Sequence, residues 1–282
     1  MSFTATAQQT HIYAVAHPDD WQLFMNPNVY QSLQNDSTKV VILHTTAGDA
    51  GAGKGSQDYY IAREEGSNRA VRFMVNAANP DMREGTEMSA SLVAINGHYV
   101  MRNRYGNVSV YYLRVPDGNY DGSGYAIHKE HSLRKFYSAE VSSLTTVDGN
   151  STYNSVDDLR ETIAAMIKAE AGQDGSIQMN LAETDQTINP EDHSDHLNTS
   201  YILQDVAKSL GLKSVRLYQE YATNKKPYNV DGDYFLICAG TWGATASGLS
   251  DSKHYSTWDK IHNSWIGRQY FRVVRLEDIV RD

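Results

Sequence analysis

The sequence has a single cysteine in 282 residues, Cys238, so no internal disulfide can form. That thiol lies in the apolar run YFLICAG, which reads as a buried strand with inert packing around the sulfur. Basic residues are also scarce: 25 Lys and Arg stand against 34 Asp and Glu, for a formal charge of −9. No Lys/Arg-rich patch is available to neutralise phosphates, which excludes nucleic acid as a partner and disfavours anionic membrane surfaces. Long apolar runs are missing too. Nothing approaches the ~20 residues that cross a bilayer, and MSFTATAQQT lacks the basic and apolar regions of a signal peptide. As it stands, the chain is expected to be soluble and cytoplasmic, although its wealth of Tyr, Asn, Ser and Gly also suits an exported protein trimmed of its signal. Internal repeats and low-complexity tracts are absent. What is present is ordinary: 40% hydrophobic and 21% charged residues, enough chain to bury a sizeable core as one domain over residues 1–282.

Short β-branched runs recur at 12–16 (IYAVA), 40–44 (VVILH), 108–115 (VSVYYLRV), 177–182 (IQMNLA), 215–221 (VRLYQEY), 234–239 (YFLICA) and 271–276 (FRVVRL). Helical spacing separates several of them. Residues 58–76 place Ile61, Val71, Met74 and Val75 at helical spacing among charged residues; residues 155–171 open with the capping pair Ser155 and Asp158; a third helix is expected over 196–210, stopped by Gly211. Alternating strands and helices predict a three-layer α/β/α, Rossmann-like, mostly parallel sheet. The section 91–115 instead alternates polar and apolar residues around Asn96-Gly97 and Gly106-Asn107, which predicts antiparallel hairpins at an edge. Residues 82–147 are accordingly read as an insertion with substrate loops, including a flexible polar stretch, DGNYDGSG, at 117–124.

The first predicted strand ends on AHPDDW, four polar or rigid residues with nothing to offer a core. Ligands bind beyond the carboxyl ends of parallel strands. There, His17 and Asp20 are spaced to reach one cation across a turn stiffened by Pro18, leaving Asp19 free to take a proton from water on the metal. A zinc hydrolase needs three protein ligands and an open position. A second cluster, NPEDHSDH at 189–196, follows another strand end, and its His193, His196, Asp192 and Asp195 can supply one ligand and one catalytic acid.

The pair AHPDD and HSDH, in this order along an α/β chain, resembles the PIG-L or LmbE-like family of zinc-dependent N-acetylglucosaminyl deacetylases. That resemblance implies a single Zn2+ held by His17, Asp20 and His196, with Asp19 as general base. It further implies that His193 stabilises the oxyanion and protonates the leaving amine, oriented by Asp195, and that the substrate is an N-acetylated amino sugar or glycoconjugate. The chemistry is consistent: zinc lowers the pKa of its water from about 15.7 to about 7, and a histidine is suited to serve the leaving nitrogen. Family members usually carry an acid directly after HPDD, where this chain has Trp21, a departure that touches no proposed ligand.

Three further segments compete for attention. GDAGAGKGS (48–56) fits Gly-x-x-x-x-Gly-Lys, but Gly55 stands where a phosphate loop needs Ser or Thr for magnesium. The loop is expected instead to border the metal site, with Asp49 near bound sugar and Arg63, in the helix that follows, holding a substrate hydroxyl or phosphate. His128 and His131 in HKEH have metal-binding spacing without a third partner and read as a surface helix. KHYSTWDKIHNSW (253–265) gathers His254, His262, Trp258 and Trp265, of which His262 is expected to line the pocket. Two other readings stand beside the hydrolase: a metal-containing carbohydrate-binding protein that has lost catalysis, with Trp21 as its sign, and a nucleotide-binding P-loop protein.

Overall fold

The structure is a computed structural model that describes residues 9–55, 58–83, 86–173 and 175–279. Its first half runs β1 (Gln9–Val15), α1 (Asp20–Phe24), α2 (Asn28–Leu33), β2 (Thr38–Thr46), α3 (Tyr59–Ala78), β3 (Ser89–Ile95), β4 (His98–Tyr105) and β5 (Val108–Val115). The second half runs α4 (Leu133–Tyr137), the short strands β6 (Leu144–Thr145) and β7 (Thr152–Tyr153), α5 (Val156–Ala171), β8 (Ser176–Ala182) and α6 (Ser194–Ser209). It closes with β9 (Ser214–Tyr218), α7 (Gly232–Asp251), α8 (Lys260–Asn263) and β10 (Phe271–Arg275). Eight strands form one sheet in the order β10-β9-β8-β1-β2-β5-β4-β3, while β6 and β7 pair separately.

Alternation along the central strands builds the three layers. Ile12 and Ala14 of β1 face a cluster that takes in Ile163 and Ile167 of α5 and Ile202, Leu203 and Val206 of α6. Tyr13 and Val15 face the opposite way, toward Val29 of α2 and Val71, Met74 and Val75 of α3. The helices form where the sequence supports them: the Ser155 hydroxyl accepts the Asp158 N–H and caps α5.

β9, β8, β1, β2 and β5 run parallel, and the two edges are antiparallel: β10 against β9, and the β5-β4-β3 meander. Asn96 and Gly97, both at positive φ, make the two-residue turn between β3 and β4. The hairpins at 91–115 therefore form as expected, but β5 is also an interior strand, bonded in parallel to β2.

Two elements differ from the sequence reading. YFLICA lies in α7, not in a strand: the residues beyond it, Thr241, Trp242, Thr245 and Leu249, are buried together with Cys238 at helical spacing, and that longer period overrides the local β preference. HKEH forms no surface helix. A single 3-10 turn at Ala126–His128 ends where Lys129 and Glu130 take positive φ. Helix α7 lies on α3 at very short range, since a Cβ on Gly248 would fall 2.6 Å from Gly66 Cα. Among the described residues, no helix is long and apolar enough to cross a membrane.

Candidate metal centre

Because β1, β2, β5, β8 and β9 are parallel, the segments leaving their carboxyl ends gather on one side of the sheet. The loop after β1 carries His17, Asp19 and Asp20; the loop after β5 carries Asp117; the segment after β8 leads to His193 and His196 at the start of α6; and the segment after β9 carries Glu220 and Tyr221. Four strand ends thus assemble one site from residues some 200 positions apart.

His17, Asp20 and His196 converge as buried donors. His17 Nδ1 lies 3.1 Å from His196 Nε2, Asp20 Oδ2 lies 3.5 Å from His17 Nδ1, and Asp20 Oδ1 lies 3.3 Å from His196 Nε2. Tetrahedral bonds of about 2.0–2.1 Å separate donors by about 3.3 Å, so the spacing fits a small divalent cation. The turn is locked by the His17 N–H, which donates to Asp20 Oδ2 at 2.6 Å. Burial opposes charge on these groups, but the partners prevail. Asp20 and Asp195 lift the His17 pKa to about 10, Asp20, Glu220 and Asp192 raise His196, and both imidazoles lower Asp20.

Each imidazole is held from behind. His17 Nε2 faces Asp195 Oδ2 at 3.4 Å, and that oxygen also accepts the Gly118 N–H at 2.8 Å. His196 Nδ1 faces Asp192 Oδ1 at 2.8 Å and Glu220 Oε2 at 2.6 Å. Burial, reinforced by Asp192 and offset by His196, pushes the Glu220 carboxyl upward.

His193 meets Asp195, the residue the resemblance names, through its backbone and not its carboxylate. Its Nδ1 is 4.0 Å from the Asp195 carboxylate, outside hydrogen-bond reach, and instead accepts the Asp195 backbone N–H at 3.1 Å as the N-cap of α6. Accepting at Nδ1 leaves the proton on Nε2. Burial, with the charges of His17 and His196, pushes the His193 pKa down to about 2, so the ring is a neutral donor. Asp19 forms an ion pair with Arg63, whose other nitrogen donates to Gly48 O at 2.6 Å. Gly48 sits at φ 56° with the guanidinium against it, and a Cβ there would fall 2.5 Å from Arg63 Nη1.

These groups line a cleft of about 370 Å³, with Asp19, Asp117 and His193 on its polar side and Tyr59, Tyr221 and Trp265 among its aromatic residues. Tyr221 stacks on Trp265 with centroids 5.0 Å apart. His262 lines the cleft too, its Nδ1 2.7 Å from Asp259 Oδ2 and its ring stacked on Trp242.

Asp49 is placed elsewhere. It is fully buried, accepts the Gly53 N–H at 2.7 Å and the Asp117 N–H at 3.2 Å, and meets His128 Nε2 at 2.7 Å. Rather than facing the cleft, it pins the glycine loop to the loop carrying Asp117. Lys54 of that glycine loop donates to Asp148 O at 3.1 Å. Trp21 is wholly buried and donates to Ser67 Oγ at 3.0 Å, so its indole anchors α1 on α3 and does not line the cleft.

Asp117 and Glu220 escape a reading based on motifs, yet both obey the rule that exposes His17 and Asp20: an acid just past an apolar strand. LRVPDG and VRLYQEY carry that signal.

No family model and no curated protein matches the sequence. Among solved structures, the fold is similar to that of an N,N'-diacetylchitobiose deacetylase from Pyrococcus horikoshii complexed with its inhibitor MPG. The TM-score is 0.53 at 13% identity, over 95% of this chain and 85% of that chain. At that identity the likeness is one of architecture, and the chain shares the α/β Rossmann-like fold of that deacetylase.

Proposed function

We propose that this protein is a zinc-dependent hydrolase that removes the N-acetyl group from an N-acetylglucosamine-type amino sugar or glycoconjugate. The observation that carries the reading is the meeting of His17, Asp20 and His196 at cation-binding distances beside a cleft that also holds Asp19 and a neutral His193. The fold neighbour is a deacetylase of a chitobiose, which adds support for the substrate class.

His17, Asp20 and His196 would hold a divalent metal, which would acidify water and polarise a carbonyl oxygen. The chain's own groups do the rest. Asp19, kept oriented by Arg63, accepts the proton of the attacking water as the C–O bond forms. His193 Nε2–H donates to the carbonyl oxygen as charge builds on it, and a neutral ring suffices for that task. When the C–N bond breaks, the proton held by Asp19 goes to the leaving nitrogen, giving acetate and a free amine. Tyr221 and Trp265 offer a flat apolar wall to a pyranose ring while Arg63 and Asp117 offer polar contacts to its hydroxyls.

The test is acetate release from N-acetylglucosamine and N,N'-diacetylchitobiose by the zinc-loaded protein and by Asp19→Ala. The variant is expected to keep its metal and to lose turnover by about 10²–10⁴-fold. Wild-type activity in Asp19→Ala would remove Asp19 as the base, and silence of the zinc-loaded wild type on a broad panel of N-acetylated sugars would sink the deacetylase reading.

A further inference from the structure

His196 turns Nε2 toward His17 and Asp20 and its other nitrogen, Nδ1, into a closed pocket behind the site. Two carboxylates meet it there, Asp192 Oδ1 at 2.8 Å and Glu220 Oε2 at 2.6 Å, and all three side chains are at least 99% buried. One N–H can satisfy one carboxylate. Asp192 is well supplied besides, accepting the His193 N–H at 2.9 Å and the Asn189 amide at 2.7 Å. Glu220 Oε2 has no further hydrogen-bond partner among the described residues.

The arrangement is built, because Asn189 staples both acids in place. Its Nδ2 donates to Asp192, and its Oδ1 accepts the N–H of Glu220 at 3.0 Å and of Ala222 at 3.4 Å. Two acids side by side in a protein interior repel each other. Among the described residues no lysine or arginine forms an ion pair with either. With His196 neutral, as a metal ligand must be, the charge that can compensate them lies across the imidazole, where His17, Asp20 and His196 converge.

We infer that Glu220 is a positioning residue of the metal site: with Asp192 and Asn189 it clamps the His196 ring, and its negative charge strengthens Nε2 as a donor to the cation. Glu220 does not line the cleft, so it acts through His196 and not on substrate. The inference rests on the metal reading of His17, Asp20 and His196 and not on the identity of the substrate.

The experiment is a zinc titration with a competing chromophoric chelator, plus the visible spectrum of the cobalt(II) form, on wild type, Glu220→Gln and His17→Ala. Glu220→Gln keeps size and hydrogen bonding but removes the charge. It is expected to weaken zinc binding by about 10–100-fold, to shift the cobalt absorption, and to leave the metal-free thermal midpoint equal or higher because the repulsion with Asp192 is gone. A packing role predicts the reverse, a lower metal-free midpoint with unchanged zinc affinity, and that result overturns the inference. So does zinc affinity within twofold of wild type in Glu220→Gln. If wild type binds zinc and His17→Ala does not, the metal reading stands whatever Glu220→Gln does; if wild type binds none, both fall. Two zinc ions per wild-type chain, with one lost in Glu220→Gln, would make Asp192, His196 and Glu220 a cation site in their own right and overturn the clamp.

Discussion

His193 and His196 stand three residues apart in one motif, and their surroundings assign them different work. The His196 ring is wholly buried between a carboxylate pair and the side chains of His17 and Asp20, whereas His193 caps α6 through Nδ1 and borders the cleft. Replacing His196 by alanine removes one of the three proposed ligands and leaves Asp192 and Glu220 facing an empty space. Zinc content measured by mass spectrometry is expected to fall from one per chain to near zero, and activity with it. His193→Ala is expected to keep its zinc and to lose about 10²–10³-fold in kcat, the usual cost of one oxyanion donor. A His193→Ala variant stripped of metal would instead place His193 in the ligand set. The pair HPDD and HSDH was legible because polar residues interrupt apolar strands at a place where a core has no use for them. Asp49 shows the limit of that logic: it too follows a strand, yet its carboxylate is consumed by the Gly53 and Asp117 N–H groups and His128, partners that only the folded chain brings together.

At the scale of elements, the apolar period along the chain exposes β1, β2, β5, β8 and α5 directly, because each is a local pattern bounded by turn or capping residues. Helix α7 is harder. Its first turns are rich in aromatic and β-branched residues that favour strands, and only the later spacing of Trp242, Thr245 and Leu249 reveals the helix. Its contact with α3 depends on two glycines at the crossing. A Cβ on Gly248 would sit 2.6 Å from the Gly66 backbone nitrogen, while one on Gly243 would meet only Trp258, at 3.7 Å. Gly248→Ala is therefore expected to destabilise the protein by about 1–3 kcal/mol through overpacking. Gly243→Ala, in open helix, is expected to be neutral or to stabilise by up to about 1 kcal/mol through helix propensity. Urea unfolding distinguishes them, and equal midpoints would mean that the helices are not in the close contact described. Arg63 and Gly66 both belong to α3, so loosening this crossing also disturbs the guanidinium that orients Asp19.

Across the whole molecule, one cation would join segments 179 residues apart, the turn after β1 and the start of α6. The chain carries an excess of acid, with a net charge of −9, and the site concentrates it: Asp20, Asp192, Asp195 and Glu220 are all buried around three histidines. Without a cation, burying these groups costs desolvation free energy, and Asp192 and Glu220 repel each other behind His196. With one, held by His17, Asp20 and His196 as proposed, binding free energy would become folding free energy. A ligand at a hundredfold excess over its Kd stabilises the native state by about 2.7 kcal/mol. For a chain of this size that corresponds to roughly 5 °C in thermal midpoint. Dialysis against a chelator is expected to lower the midpoint by that amount, and stoichiometric zinc to restore it, whereas magnesium, which prefers six oxygen ligands, is expected to restore little. In His196→Ala the midpoint should no longer respond to zinc or chelator. A zinc response that survived in that variant would show that the stabilising cation binds elsewhere and that the acidic cluster does not couple to folding through it.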